Sequence, residues 1–199
     1  REREQILYNH IRLGAQPQAI KTRLKPLLLN VAAHDEFSPE IARRLGNPLL
    51  TRNLSISRTA IEQFVEKPVE FLTEILRTID AASRCAIALV FVRGGSVQSP
   101  VDLTPEECTM IAKLGGSADK LPAALEALDG SLLLLVLSDG LYHWRFKHPT
   151  IRDAFAVLVA ENPEWMDIYL SGTPLNAVFR EVSCGQVDLE GVKLVIPPD

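Results

Sequence analysis

The sequence predicts a mainly α-helical chain whose later part adopts a winged-helix arrangement with one β-hairpin. Three features predict it. Apolar residues recur at helical spacing along most of the chain, bounded by capping residues, prolines at first helical positions and glycine stops. Two apolar runs, Leu132 to Leu137 and Leu141 to Phe146, flank Ser138-Asp139-Gly140, as in a hairpin. Directly after them, Pro149 heads a helix whose Ile151, Phe155 and Leu158 share one face.

In order along the chain, Ile6, Leu7, Ile11 and Leu13 give a first helix ending at Gly14. Ile20, Leu24, Leu27, Leu28 and Val31 give a second, which Pro26 must kink or divide. Ser38-Pro39-Glu40 supplies an N-cap and a first-turn proline for a short helix to Leu45, stopped by Gly46. Residues Asn47 to Ser57 read as a connector. Helices from Thr59 to Glu66 and Pro68 to Ile79 come next, the latter lined by Val69, Leu72, Ile75, Leu76 and Ile79.

Ser83 to Val92 is nearly all apolar, so its helix should be buried on most sides; Gly94-Gly95 ends it. A loop through Pro100 leads to Thr104-Pro105-Glu106-Glu107, a capping box opening a helix to Leu114. Ala118 to Leu128 makes another, stopped by Asp129-Gly130, and the hairpin comes after it. Past the Pro149 helix, Pro163 to Leu170 and Pro174 to Val182 read as helical, and Val192 to Ile196 as an extended tail.

At 199 residues, 47% hydrophobic and 23% charged, the composition is that of an ordinary globular protein. A formal charge of −4 weighs against nucleic acid, whose phosphates demand a basic face. Cys85, Cys108 and Cys184 are odd in number and unpaired in spacing, so they read as reduced thiols of a cytoplasmic protein. The longest apolar run is too short to span a bilayer. Arg1-Glu2-Arg3-Glu4-Gln5 runs without an initiator methionine into an amphipathic helix, so a cut from a longer protein is expected.

Motifs for chemistry are scarce. There is no G-x-x-x-x-G-K-[ST], no G-x-G-x-x-G after a strand, no H-E-x-x-H and no G-x-S-x-G. Glu70, Glu74, Glu106 and Glu107 occupy ordinary helix positions, so a catalytic carboxylate pair is not indicated. His10 and His34 read as surface residues and His143 as facing solvent. No two histidines have the spacing of a zinc pair. His148 is different, because it joins a strand to a helix N-terminus, where backbone N–H groups and the helix dipole favour an anion. The same place suits a histidine that only caps and packs.

Four segments carry a family resemblance by their order: Ile6-Leu7-Tyr8-Asn9-His10, Phe37-Ser38-Pro39-Glu40-Ile41-Ala42-Arg43-Arg44-Leu45, Phe64-Val65-Glu66 leading into Phe71-Leu72, and Phe146-Lys147-His148-Pro149-Thr150-Ile151-Arg152-Asp153-Ala154-Phe155. Together they resemble STAND-class P-loop NTPases, and within them the novel STAND group, in the region after the nucleotide-binding core. The resemblance implies a helical lid over residues 1–50, a helical bundle over 51–100, a winged-helix domain over 101–162, and C-terminal helices with an extended tail over 163–199.

It further implies that His148 senses the β-phosphate of bound ADP, that Pro39 packs near the adenine, and that a lid sensor arginine is Arg43 or Arg44. The family often has an arginine directly after the lid proline, where this chain has Glu40. On this reading the fragment alone is not an enzyme and holds no metal, catalytic residue or cofactor. ATP or ADP with Mg belongs to a core upstream of residue 1. The expected role is to hold the ADP-bound resting state of a cytoplasmic signalling ATPase that oligomerises on activation, a class with a common role in defence against phage. The alternative from the residues themselves is a winged-helix DNA-binding regulator with a helical oligomerisation region. A helical scaffold for protein contacts is a third.

Overall fold

The computed structural model of the chain describes residues 1–52, 54–173, 178, 182–184 and 194–196. It is mainly α-helical with a small three-stranded antiparallel sheet, and it divides into two compact units, Arg1–Ile75 and Leu76–Asp199. The sequence-based boundaries at 50/51 and 100/101 do not coincide with this division.

The first unit is helical among its described residues. Helix α1 (Glu2–Leu13) ends at Gly14. Pro26 divides the next helical stretch into α2 (Gln18–Leu24), a 3-10 turn (Lys25–Leu27) and α3 (Leu28–Ala33), because a proline ring displaces the carbonyl four residues back and donates no hydrogen bond. Ser38 caps α4 (Pro39–Leu45). The expected connector contains a further short helix, α5 (Pro48–Thr51), capped by Asn47. Helix α6 (Arg58–Glu66) is capped by Ser57, and α7 (Pro68–Thr78) crosses into the second unit. Leu7, Ile11, Leu24, Val31, Leu45 and Phe64 are central to this unit's core.

Two details fix how α1 and α4 meet. A Cβ built on Gly46 would stand 2.6 Å from the His10 carbonyl oxygen, so the two backbones touch where only glycine fits. Next to them the buried Gln16 amide donates to the Leu45 carbonyl at 2.9 Å and to the Thr51 hydroxyl, joining the loop after α1 to α4 and α5.

In the second unit, α8 (Ala81–Val92) is the central helix. Every residue from Cys85 to Val92 is buried, as its unbroken apolar run requires. Asp80 caps it by accepting from the Ser83 amide at 2.9 Å and the Ser83 hydroxyl at 2.7 Å. Gly94 and Gly95 end it with φ of 72° and 96°. Strand β1 (Ser96–Ser99) comes next, then α9 (Pro105–Lys113), a 3-10 turn (Ala118–Lys120), α10 (Leu121–Leu128), β2 (Leu133–Ser138), β3 (Leu141–Phe146), α11 (Pro149–Ala160) and α12 (Pro163–Gly172). The expected helix at 174–182 falls almost wholly outside the described residues, although Val182 begins a short strand, β4 (Val182–Cys184), parallel to β5 (Leu194–Ile196).

The sheet order is β1-β3-β2, with Val97 opposite Trp144 and Leu133 opposite Phe146. Asp139 and Gly140, with φ of 53° and 79°, make the two-residue turn whose left-handed conformations match strand twist. Helix, strand, two helices and hairpin, in this order and with this sheet, form a winged-helix arrangement. It begins at α8 rather than after Pro100, because β1 completes the sheet. The hairpin lies mainly against α8, α10 and α11.

Arg93 and Glu107 lock this unit together. The guanidinium donates to both carboxylate oxygens, at 2.6 and 2.7 Å, and also to the Asp102 carbonyl. The same carboxylate accepts from the Thr104 amide at 2.9 Å while the Thr104 hydroxyl accepts from the Glu107 amide, completing the capping box of α9. Burial pushes the Glu107 carboxyl up, but the hydrogen bonds from Arg93 and Thr104 and the Arg93 charge outweigh it and hold it below the ordinary glutamate value.

Both contacts bear on stability, which chemical denaturation reads. Gly46→Ala forces its methyl into the His10 carbonyl and should cost about 2 kcal/mol; an unchanged midpoint would mean that α1 and α4 separate freely. Glu107→Ala strands the Arg93 guanidinium and opens the cap of α9, and should cost about 3 kcal/mol. Glu107→Gln keeps the reciprocal cap and should cost less, so equal losses would rule out a part for the cap.

Candidate functional site

The last rung between β2 and β3 is the Lys147 amide donating to the Leu132 carbonyl at 3.0 Å. Beyond it the chain extends through His148, with φ −148° and ψ 143°, and Pro149 starts α11. The His148 side chain is the N-cap. Its Nδ1 accepts from the Thr150 amide at 3.3 Å and lies 2.6 Å from the Thr150 hydroxyl. Because Nδ1 must present a lone pair to that amide, the neutral ring carries its proton on Nε2.

The ring is half-buried, and among the described residues no protein group bonds Nε2. Below it, Ile151, Ala154 and Phe155 are buried, and Phe155 packs edge-on to Phe91 of α8 with ring centres 5.2 Å apart. The neighbouring Lys147 ammonium donates to the Gly130 carbonyl. The arrangement therefore offers one oriented N–H donor at the head of a twelve-residue helix anchored in the core, a place suited to an anionic oxygen.

The other sequence-selected residues lie in the first unit. Pro39 is at the first position of α4, exposed, and the Ser38 hydroxyl accepts from the Ile41 amide at 3.4 Å. Arg43 and Arg44 are brought together by Glu40. The Arg43 Nε donates to one Glu40 oxygen at 2.6 Å and its Nη2 to the other, which also accepts from Arg44 Nε at 2.9 Å.

Arg44 is only 3% exposed. Burial lowers its pKa, with the Glu40 contact opposing that effect. Burial raises the Glu40 carboxyl, and Arg43 and Arg44 together bring it below its ordinary value. Both candidate lid sensors are thus engaged by the residue that stands where the resemblance expects an arginine. The Glu-x-x-Arg-Arg spacing, with partners three and four residues on, was the available sign of this clamp.

Two of the other three histidines are more engaged than sequence implied. His34 Nδ1 accepts from the Glu36 amide at 3.2 Å, and its Nε2 lies 3.3 Å from Glu66. His143 is half-buried, with Nδ1 3.5 Å from the Ser96 hydroxyl. Among the described residues no three His, Cys, Asp or Glu side chains gather as a metal site, and no helix is long and apolar enough to cross a membrane.

In a winged-helix arrangement, α10 and the hairpin are the elements that would face DNA. From Leu121 to Leu128 the only charge is Glu126, and from Leu132 to Tyr142 it is Asp139. The rest of β3 adds one cation, Arg145, so the two elements together lack the basic face that phosphate contact requires. Compared with family models, curated proteins and solved structures, the chain matches none.

The Glu40 clamp predicts an acid response. A carboxyl whose pKa is lowered on folding contributes stability above about 4.5, its ordinary value, and loses that contribution as pH falls through the folded-state value. Denaturation midpoints measured from pH 6 to pH 3 should fall, and Glu40→Gln should flatten the part of the decline due to this residue. An equal slope in the variant would mean that the clamp makes no contribution.

Proposed function

We propose that this chain is the helical lid and winged-helix portion of a STAND-type signalling ATPase, and that it restrains the ADP-bound resting state. The observation that carries the reading is His148, an N-cap imidazole whose Nδ1 is committed to Thr150 and whose Nε2–H is left to donate outward. Support also comes from the shared order of the segments resembling that family and from a winged-helix arrangement leading into His148.

In the proposed mechanism, the nucleotide and Mg are held by a P-loop core upstream of residue 1, and this chain contributes no catalytic group. His148 Nε2 would donate to a β-phosphate oxygen of ADP, and the dipole of α11 would favour the anion there, the first-turn amides of Thr150 and Ile151 being already taken by His148. The contact exists only while the winged-helix unit is closed on the core, so ADP binds the closed arrangement better and shifts the population toward it. A hydrogen bond to a charged group is worth roughly 1.5 to 3 kcal/mol, which moves a balanced switch about tenfold or more.

Pro39 would flank the adenine. Arg43 or Arg44 would sense nucleotide only on release from Glu40. The protein would be cytoplasmic, would oligomerise on activation, and could serve antiviral defence. The alternative of a DNA-binding regulator is disfavoured by the acid-tipped hairpin, in which Arg145 is the one cation, and by α10, whose single charge is Glu126.

The test separates capping from sensing in the complete protein. His148→Asn keeps a side-chain oxygen for the Thr150 amide, but its NH₂, on a side chain shorter than imidazole, does not reach the position of Nε2–H, so it should fold with wild-type stability and release ADP about tenfold faster. His148→Ala should release ADP as fast and also lose about 1 kcal/mol of stability. Wild-type ADP retention in His148→Asn, followed with a fluorescent ADP analogue, would leave His148 as a cap alone.

A further inference from the structure

Four arginines described in the second unit have protein partners. Arg77 pairs with Glu161 and Arg93 with Glu107, Arg84 donates to the Ile79 carbonyl at 3.1 Å, and Arg145 donates to the Ser96 hydroxyl at 3.3 Å. Arg152 of α11 differs from them. It is half-buried, and among the described residues its guanidinium has no hydrogen bond or ion pair. Taking a guanidinium partly out of water without an acceptor is costly, so this position holds a fork of N–H donors with no internal use.

The helix places that fork beside His148. Arg152 is the fourth residue of α11 and stands four after His148, so the two are neighbours on one side of the helix. Ile151 and Phe155 bound this side toward the core and are buried, whereas Asp153 and Val157 are exposed around the helix from it. Every helical Cα–Cβ bond leans toward the N-terminus, which directs the stem of Arg152 toward the first turn. Three and four residues to either side of it are Pro149, His148, Phe155 and Ala156, so α11 supplies no carboxylate to pair with it, and Asp153, next in sequence, does not share its face. Its one polar neighbour along the helix is the imidazole whose Nε2–H is left to donate outward.

We infer, on the footing of the ADP contact proposed for His148, that Arg152 is the second arm of that contact and makes it selective for a terminal phosphate. Two donors converging on one phosphorus need two free oxygens and a charge that repays both. A terminal phosphate at neutral pH carries about −1.5 to −2 charge and three acceptor oxygens. An internal phosphate, esterified on both sides, has fewer free oxygens and less charge. The β-phosphate is terminal in ADP and internal in ATP, so the pair grips ADP and slackens on ATP. His148 contributes a single neutral N–H; the charge that distinguishes the two nucleotides comes from the arginine, whose planar fork matches phosphate oxygens.

The test uses the complete protein, with fluorescent ADP and ATP analogues. Arg152→Met keeps an unbranched stem and loses the fork, so its denaturation midpoint should match wild type while ADP leaves about tenfold faster and ATP affinity stays within about twofold. Arg152→Lys keeps the charge without the fork and should hold ADP better than the methionine variant. Wild-type ADP retention in Arg152→Met, where His148→Asn does release ADP, would strike out Arg152 and leave the His148 contact standing. Equal losses for ADP and ATP, or a lysine variant no better than methionine, would also overturn the inference. Wild-type ADP retention in His148→Asn would instead remove the ADP contact itself, and the part of Arg152 with it.

Discussion

The second unit depends on one carboxylate. Glu107 faces α9 as the third residue of its capping box and faces α8 as the partner of Arg93. Either role alone is common, but a carboxylate committed to both makes the start of one helix and the end of another a single polar joint. The joint fixes where α9 begins, and therefore where α10 lies against α8. The hairpin rests on α8 and α10, and His148 is placed by the last rung of that hairpin. The burial that raises the cost of this charge also keeps water from competing for its hydrogen bonds.

Much of the helical architecture was legible because it rests on short-range rules. Ser38-Pro39, Thr104-Pro105 and His148-Pro149 mark helix starts, Gly14 and Gly94-Gly95 mark stops, and Pro26 divides its helix as its ring geometry demands. Strand β1 was not legible. Ser96-Val97-Gln98-Ser99 has one apolar residue and becomes a strand only because β3, distant in sequence, lies beside it. Missing it also placed the start of the winged-helix arrangement too late. Helix α5 is a single turn whose Pro-Leu-Leu-Thr has too few residues to show a period.

For the candidate site, position was legible and partnership was not. The sequence placed His148 at a helix start, but the tautomer follows only from Thr150, two residues on, acting as donor to Nδ1. Arg43 and Arg44 were named as lid sensors by resemblance, and their shared engagement with Glu40 changes what they offer: a nucleotide would have to compete with a carboxylate already in place. Glu107 was read as an ordinary first-turn acid because its second partner, Arg93, comes from beyond the end of another helix.

The pairing of β1 with β3 has a topological consequence. Ser96 and Arg145 are 49 residues apart, and everything between them, α9, α10 and β2 included, lies inside the loop that this pairing closes. The sheet is a clasp around the middle of the unit. Closing such a loop has an entropic cost that rises only with the logarithm of its length, so a few residues added to the turns within it change that cost little. Opening the clasp at β1 frees the ends of the entire segment at once, which gives a four-residue strand with a single buried side chain a reach far beyond its own contacts.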